Sequence, residues 1–277
     1  MNPQPGANPL ITFLFSDTGG GHRSAVEAII EALNLEFPGQ VDTEMVDIFR
    51  QYAPTPLHLA PDIYPRLSKM PRFWGWGYHI SDGKLRTRLA YTVLYPYLRP
   101  SLKRLLVERQ PQLIVSVHQL SNTPVLRAMK KNRIPFMTVV TDMVSTHAAW
   151  YNPSADLVIV ATEEARRRAL EMGLCPEQLR VVGLPVADRF CQPAESKAAL
   201  REQLGWTTDR PVVLLVGGGE GMGPLEKTAQ AIDSAGLPVS LVIIAGRNQG
   251  LQKRLEAHAW RIPVKVYGFV TQMPDFM

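Results

Sequence analysis

Short apolar runs alternate with stretches of helical periodicity along most of the chain. The run at 10–15 is apolar except for one threonine, which is typical of a parallel strand buried on both faces. Apolar residues then recur at helical spacing: Ala25, Ala28, Ile29, Ala32 and Leu33. Further strands are predicted at 113–117, 135–140, 156–160, 179–182 and 211–216 and near Val242 and Val266, and a helix at 162–173 with Thr162 as its N-cap. The alternation predicts an α/β fold.

Two of the predicted strands run directly into glycine-rich loops that precede helices. The first loop holds Gly19, Gly20 and Gly21, and the second is GGGEGMG at 217–223, followed by Pro224 at a helix start. A helix N-terminus leaves backbone N–H groups free to bind a ligand, and ligands of α/β sheets lie at such strand ends. Two such units, far apart in the sequence, predict two Rossmann-like domains that face each other across a cleft.

The chemistry of the first loop has two interpretations. It is close to a dinucleotide-binding fingerprint, in which Asp47 near the end of the second predicted strand would hold a ribose. The third glycine of that fingerprint is missing, however, and His22 stands where the turn usually needs a small residue. Because a histidine has a pKa near neutrality, His22 could instead take a proton from a ligand bound at the strand ends. The second loop is not a Walker A loop, since no Gly-Lys-Ser/Thr closes it.

The segment after the strand at 135–140 carries further polar and aromatic candidates. Asp142, His147 and Trp150 follow this strand and are expected on the ligand side of the sheet. Asp142 has the alternative role of a helix cap or turn residue. His118, at the end of another strand, either faces the cleft or is a buried structural histidine.

The composition favours a membrane surface as a partner. The chain has 277 residues, 45% of them hydrophobic, which suffices for two domains. The net charge is +5 and the pI about 9.3, and because no nucleic-acid motif is present, we expect anionic lipids rather than nucleic acid as the partner. The alternative is an ordinary basic protein. No signal peptide and no run long enough to span a membrane are found, and Cys175 and Cys191 have no metal-ligand spacing, so the expected location is peripheral, on the cytoplasmic face of a membrane.

The segment 51–97 differs in character from the rest of the chain. It is rich in proline and contains Phe73–Tyr78, with Trp74 and Trp76, among several lysines and arginines. Aromatic rings and basic side chains favour the bilayer interface. We therefore expect Trp74 and Trp76 to contact the membrane or a lipid acceptor. The alternative is a proline-rich excursion whose tryptophans pack back on the domain.

Six motifs together resemble a known enzyme family. They are SDTGGGHRSA at 16–25, VTDMVSTHAAW at 140–150, VVGLPV at 181–186, LLVGGGEGMGPLEKTA at 214–229, and AGRNQGL with VKVYGFVTQMPDFM within 245–277. In this order they resemble the monogalactosyldiacylglycerol synthases, which are similar to processive diacylglycerol glucosyltransferases and, more distantly, to the N-acetylglucosaminyltransferase that makes lipid II. The resemblance covers nearly the whole chain, and GGGEGMGP is specific to the diacylglycerol glycosyltransferases.

The resemblance implies a two-domain GT-B fold and an inverting transfer. The hexose would pass from UDP-galactose or UDP-glucose to diacylglycerol without a bound metal or cofactor, and no Asp-x-Asp pair of the kind that holds Mg²⁺ or Mn²⁺ occurs in the sequence. His22 is the expected base for the acceptor hydroxyl, with Asp17 as its orienter or as an acceptor ligand; in the reversed assignment Asp17 is the base. The loop with Asp142, His147 and Trp150 would border the acceptor site, although Ala148 replaces a proline that the family often has there.

The resemblance also implies a donor site in the second half of the chain. The loop with Gly219, Glu220 and Gly221 would approach a diphosphate closely, and Arg247 would neutralise its charge. Phe269 would pack against uracil while the Val270 backbone reads the base, the alternative being that Phe269 belongs to the core.

The expected domains are residues 1–190, a linker at 191–210, and residues 211–277 as the first part of a donor domain. The further glycine-rich motif and acidic residue of the family do not follow, so the second domain is expected to be incomplete and to bind UDP weakly. Two other functions stay open: transfer to another lipid acceptor, as in lipid II synthesis, and an inactive lipid-binding fragment. The sequence does not distinguish galactose from glucose.

Overall fold

The computed structural model describes residues 8–18, 20–67, 71–192 and 196–277, with the backbone alone for 64–67 and 71–74. The chain divides into two compact units, residues 1–188 and 189–277. Each unit is built on one sheet in which all strand pairs are parallel, and helices follow most strands. The α/β class predicted from the alternation of strands and helices is therefore confirmed.

The sheet of the first unit has six strands in the order β2-β1-β3-β4-β5-β6. The strands are β1 Leu10–Phe15, β2 Asp42–Asp47, β3 Leu113–Ser116, β4 Phe136–Val139, β5 Leu157–Val160 and β6 Leu179–Val181. The chain runs outward from β1 to β2 and then returns to β3 on the other side of β1. The strand order thus reverses at β1, and the carboxyl ends of β1 and β3 form the switch point where ligands of such sheets bind.

Helices flank this sheet and line its two faces. They are α1 Gly20–Glu36, α2 Ile48–Tyr52, α3 Ala60–Leu67, α4 Pro71–Ser81, α5 Lys84–Arg109, α6 Gln119–Ala128 and α7 Glu163–Glu171, with 3-10 turns at Leu57–Leu59, Ala148–Trp150, Pro176–Gln178 and Asp188–Phe190. Successive strand residues point to opposite faces, so Leu14 packs in one core with Trp150, while Phe13 packs in another with Val26 of α1. The Thr162 hydroxyl caps α7 as predicted, accepting from Ala165 N at 3.2 Å.

The proline-rich segment predicted at 51–97 forms helices rather than an irregular excursion. Its largest element, α5, is 26 residues long and contains Pro96 and Pro100 inside the helix. A proline ring removes one backbone donor and usually breaks a helix. Both prolines lie on the exposed side of α5, where water can bind the carbonyl groups that lose their partners. No helix in the described ranges combines the length and the apolar character needed to cross a membrane.

The second unit has a three-stranded sheet in the order β7-β8-β9. Its elements are α8 Lys197–Gln203, β7 Val212–Val216, α9 Leu225–Ser234, β8 Ser240–Ile244, α10 Gln249–Ala257, β9 Val264–Tyr267 and α11 Met273–Phe276. The prediction of a linker at 191–210 is wrong for its later part. Leu204 and Trp206 pack against the apolar cluster of this unit, and Trp206 Nε1 donates to the Tyr267 hydroxyl at 2.9 Å. Because these two side chains pack there, the later part of 191–210 belongs to the second unit.

Candidate active site

The first glycine loop is shorter than the sequence suggested. Helix α1 begins at Gly20, so Gly20 and Gly21 form its first turn and His22 lies on the helix itself. Gly19 lies outside the described residues. A Cβ atom at Gly20 or Gly21 would meet no atom within 4 Å, so the space above this helix N-terminus is open. Backbone N–H groups of the first turn are therefore accessible to a ligand.

His22 contacts residues that follow two other strands. Its Nδ1 lies 3.2 Å from the Thr141 hydroxyl, just beyond β4. Its ring centroid lies 4.7 Å from that of His118, beyond β3, and 6.0 Å from that of Trp150. The parallel order β1-β3-β4 brings these three strand ends side by side, which places His22 at the switch point of the sheet.

The surroundings of His22 keep its imidazole neutral. Burial lowers the pKa of His22, and the nearby Asp142 carboxylate and the Val117 backbone oppose this shift without overcoming it. A neutral imidazole has one ring nitrogen that can accept a proton. His22 thus has the protonation state that a general base requires near neutral pH.

His118 is the structural member of the histidine pair. It is buried, and its Nδ1 accepts a hydrogen bond from Leu120 N at 3.3 Å, which caps α6. The ring proton is consequently on Nε2, which donates to the Thr18 hydroxyl at 3.2 Å. Burial, with His22 as a second cause, holds the pKa of His118 well below its usual value. Of the two roles that the sequence allowed, the structure supports the buried structural one.

Asp17 forms an ion pair with the residue after His22. Arg23 Nε and Nη2 donate to the two carboxylate oxygens of Asp17, both at 2.7 Å. This hydrogen bonding is the main cause of a lowered pKa for Asp17, so the carboxylate stays ionised. In the described part of the chain Asp17 makes no hydrogen bond to His22, and Thr141 occupies the position expected for the orienter. Thr141 has no signal in the sequence beyond its place after a strand, and the only signal for Arg23 is that it adjoins His22.

Asp47 binds the backbone of the same turn and does not face a ligand. The Asp47 residue is buried, with 3% of its surface exposed. Its Oδ1 accepts from Phe49 N and Arg50 N at 3.0 Å, which caps α2, and its Oδ2 accepts from Asp17 N at 3.1 Å. Because its oxygens are buried and bonded to backbone groups, the interpretation of Asp47 as a ribose ligand is wrong.

Trp150 is a core residue that holds Asp142. The indole side chain is fully buried, and its Nε1 donates to Asp142 Oδ2 at 2.7 Å. Trp150 therefore presents no ring surface to solvent, whereas Asp142 is half-buried and close enough to His22 to raise its pKa. The structure brings Asp142 and Trp150 close to His22, as expected, but the two residues have different roles. Asp142 supplies a negative charge near His22, and Trp150 holds that carboxylate in place.

His147 stabilises the conformation of this loop through its hydrogen bonds. Its Nδ1 accepts from Ala149 N at 3.0 Å and caps the short turn Ala148–Trp150, while Nε2 lies 3.1 Å from the Ser81 hydroxyl. Burial is the main cause of a lowered pKa for His147. Ala148 N donates to Asp82 Oδ1 at 2.8 Å, a bond that a proline could not make. The departure from the family pattern at Ala148 thus gives the loop an additional anchor on the end of α4.

The structure describes the side chain of only one of the two tryptophans of α4. Trp76 is 63% exposed, so it does not pack back into the domain core. The Trp74 side chain lies outside the described residues. Exposed apolar side chains accompany Trp76 on α4 and α5: Ile80, Leu85, Leu89 and Val93. The spacing of the last three is four residues, which places them along one side of α5.

The glycine loop of the second unit packs directly against the turn after β8. A Cβ atom at Gly221 would lie 2.0 Å from the Ala245 carbonyl oxygen, and one at Gly246 would lie 2.5 Å from the Gly218 carbonyl oxygen. Gly218 and Gly223 have positive φ values of 66° and 88° but open space around them. Packing and backbone conformation thus both require glycine here, in addition to any close approach by a ligand.

The expected donor residues Glu220, Arg247 and Phe269 lie together in this unit. Arg247 Nη1 lies 2.9 Å from Glu220 Oε1, and the guanidinium carbon lies 4.2 Å from the centroid of the Phe269 ring. A Cβ atom on Gly219 would lie 3.2 Å from Arg247 Nη1. Phe269 is half-exposed, so it is not a core residue, whereas the Val270 side chain packs partly on the core. In the described residues no group of three histidine, cysteine or acidic side chains is arranged to hold a metal ion.

Solved structures of other proteins share this fold. The Anabaena protein HepE in complex with UDP and glucose is 15% identical, with a TM-score of 0.56 over 97% of this chain and 71% of that one. The UDP-GlcNAc 2-epimerase from Neisseria meningitidis bound to UDP-GlcNAc is 12% identical, with a TM-score of 0.54 over 98% of this chain and 74% of that one. The fold is that of the GT-B class, as the resemblance implied.

The chain belongs to the monogalactosyldiacylglycerol synthase family, whose model matches residues 22–186. The probable monogalactosyldiacylglycerol synthase, chloroplastic, of Nicotiana tabacum is 37% identical over 96% of this chain and 52% of its own length. Monogalactosyldiacylglycerol synthase 1, chloroplastic, of Arabidopsis thaliana is 35% identical over the same shares. The chain therefore spans about half the length of the curated relatives it matches.

Proposed function

We propose that the protein is an inverting glycosyltransferase that moves galactose from UDP-galactose to diacylglycerol. The observation that carries this proposal is the neutral His22 on the first turn of α1, held by Thr141 at the switch point of the sheet. Membership of the family supports the reaction class, and the names of the relatives support galactose and diacylglycerol rather than glucose or another acceptor.

The acceptor hydroxyl would lose its proton to His22 as its oxygen attacks the anomeric carbon of the sugar. The bond from that carbon to the UDP oxygen breaks with inversion, and UDP leaves with the bonding electron pair. The Asp142 carboxylate, held by Trp150, stabilises the imidazolium that forms, because a nearby negative charge favours a protonated histidine. Asp17, already paired with Arg23, keeps the turn between β1 and α1 in shape.

The diphosphate would bind at the glycine loop of the second unit, at Gly219, Glu220 and Gly221. We propose that Arg247 exchanges its ion pair with Glu220 for the phosphate oxygens, and that Phe269 and the Val270 backbone hold the uracil. Arginine and backbone N–H groups supply positive charge for the leaving UDP, so the proposed reaction needs no bound metal or cofactor.

The protein would act at a membrane surface, as a peripheral protein on its cytoplasmic face. Supporting this, Trp76, Leu85, Leu89 and Val93 expose apolar side chains on α4 and α5. The exposed basic residues Lys84, Arg86 and Arg88 lie in the same segment. A basic residue near an anionic membrane contributes roughly 1 kcal/mol of attraction.

The activity test offers labelled UDP-galactose or UDP-glucose to the full-length protein, with diacylglycerol in mixed micelles. We expect a labelled galactolipid of the β configuration from an α-linked donor, since the transfer inverts. Label in a glucolipid would correct the donor, and label in a polyprenyl-linked acceptor would favour the lipid II type of reaction. A protein that binds diacylglycerol but transfers neither sugar would favour a lipid-binding role.

A further inference from the structure

A small apolar cavity lies between α2 and α5, beside the candidate active site. Its volume is about 110 Å³, and the side chains that define its position are Phe49, Tyr52, Leu57, Tyr91, Leu98 and Leu120. Among the side chains that the structure describes, no charged one lines it. The mechanism proposed above does not use this cavity.

The cavity is two aromatic rings away from His22. The Phe49 ring, which forms part of its wall, lies edge-on to His118 with 5.5 Å between ring centroids. The His118 ring in turn lies 4.7 Å from that of His22. The cavity therefore lies within two ring contacts of the group proposed to take the acceptor proton.

The two tyrosine hydroxyls of the wall are already bonded elsewhere. The Tyr52 hydroxyl donates to Glu108 Oε2 at 2.9 Å and accepts from Arg109 Nε at 2.9 Å. The Tyr91 hydroxyl donates to the Gln119 carbonyl, and burial raises the pKa of Tyr91, so this residue stays uncharged. An apolar cavity of roughly 150 Å³ in another protein stays dry and binds small hydrocarbons. The present cavity is of similar size and suits an aliphatic segment.

The mouth of the cavity is apolar as well. Leu94 and Leu120, which line it, are 41% and 47% exposed. The exposed stripe Leu85, Leu89 and Val93 runs along the same helix as Leu94. The part of an aliphatic chain that extends out of the cavity would thus lie on apolar surface. Such a surface favours a lipid tail over a sugar or a phosphate.

We infer that this cavity is an acyl-chain subsite, which receives part of one fatty acyl chain of the lipid acceptor while the acceptor hydroxyl lies at His22. The inference rests on the proposed function for the identity of the acceptor. It adds a position for the lipid and a reason for preferring an acceptor with aliphatic tails.

The test titrates 1,2-dioctanoylglycerol, below its aggregation limit, into the chain labelled with ¹³C at leucine methyl groups. We expect the methyl signals of Leu57, Leu98 and Leu120 to shift. The methyl signals of Leu251 and Leu255, in the core of the second unit, are the internal control and are expected to stay in place. Shifts confined to leucines away from the cavity would overturn the inference.

A variant whose side chain fills the cavity provides a second test. Ser101 lines the cavity, so Ser101→Leu should weaken dioctanoylglycerol binding about tenfold, or roughly 1.4 kcal/mol. Ala90→Leu, an exposed position on the same helix, is the matched control and should bind as the parent does. Circular dichroism checks that both variants fold, and if Ser101→Leu does not, the methyl shifts of the parent decide the question.

The outcomes separate this inference from the proposed function. If Ser101→Leu binds dioctanoylglycerol as well as the parent while the full-length protein still makes galactolipid, the subsite is wrong and the reaction stands. If methyl octanoate shifts the cavity leucines but dioctanoylglycerol does not, the cavity takes aliphatic chains from another source and the inference fails. Methyl shifts at the cavity without any sugar transfer would support the subsite and contradict the proposed reaction.

Discussion

The indole nitrogen of Trp150 donates a 2.7 Å hydrogen bond to the carboxylate of Asp142. This bond connects the core of the first unit to the candidate active site, because the Trp150 ring is fully buried whereas Asp142 lies near His22 and acts on its pKa. A charge that must stabilise a transient imidazolium needs a fixed position. The buried indole provides it.

Replacing Trp150 by phenylalanine should therefore affect stability and catalysis together. A hydrogen bond to a charged group contributes about 1.5–3 kcal/mol, so the free energy of unfolding of Trp150→Phe should fall by about that amount. Because Asp142 loses its support, kcat should also fall. Urea unfolding and steady-state kinetics measure the two effects. The control is Trp260→Phe, which removes the indole bond to the Leu255 carbonyl in the second unit and should lower stability with kcat unchanged. An unchanged kcat in Trp150→Phe would contradict the positioning role.

Removing the imidazole of His22 should nearly abolish transfer. A general base accelerates a reaction about 10²–10⁴-fold, so His22→Ala should lower kcat by that factor in the full-length protein, with lipid binding largely retained. His258→Ala, at an exposed histidine of the second unit, serves as the control. Activity of His22→Ala within a few-fold of the parent would mean that another group takes the proton.

The buried histidines should make the fold sensitive to acid. The pKa of His118 is lowered well below 6.5, mainly by burial, so the unfolded chain binds a proton more readily than the folded one. This contribution to stability is complete above about pH 6.5, the unfolded value, and is lost as the pH falls from there towards the lowered folded value. His118→Gln should flatten the dependence of the unfolding free energy on pH below about 6.5. Urea unfolding at a series of pH values measures this slope, and an unchanged slope would show that His118 does not titrate on unfolding.

Binding to vesicles should depend on the tryptophans of α4, of which Trp76 is exposed. Changing Trp74 and Trp76 together to alanine should reduce sedimentation with anionic vesicles, because apolar anchoring area is lost, while the circular dichroism spectrum stays the same. Binding of the parent should weaken with added salt, which screens the basic residues. Leu237→Ser, at an exposed leucine of the second unit, is the control. Unchanged vesicle binding in an intact double variant would exclude α4 as the anchor.

Two glycines of the second loop should respond differently to alanine. Gly221→Ala would bring a Cβ atom to within 2.0 Å of the Ala245 carbonyl oxygen, whereas Gly218→Ala meets nothing within 4 Å. Both have positive φ values, 60° and 66°, so both carry the strain of about 1–2 kcal/mol that a left-handed L-residue has. Gly221→Ala should consequently be the more destabilising by chemical denaturation. Equal losses would show that the loop can move away from the turn after β8.

The sequence predicts part of the candidate site. The predictions of residue roles that are wrong have a common origin. The sequence located His22, because a histidine between a buried strand and a helix is recognisable from adjacent residues alone. It does not reveal the contact of Thr141 with Nδ1 of His22, since this contact joins residues 119 positions apart and depends on β4 lying two strands from β1, with β3 between them. For the same reason the sequence marks Asp47, Trp150 and His147 as polar or aromatic candidates but does not predict that they are buried supports.

The sequence by itself determined the strands, the two glycine loops, the cap of α7 at Thr162 and the family, because strand, cap and motif signals lie in neighbouring residues. Tertiary structure alone decided that Arg23 pairs with Asp17, that Trp150 is buried beneath Asp142, and that Leu204 and Trp206 belong to the second unit. It also decided that α5 continues through Pro96 and Pro100, since packing of Leu102 and Leu105 into the core offsets the lost backbone bonds. Local periodicity reports which residues are buried, whereas the order of strands and the packing of distant segments determine what each buried residue contacts.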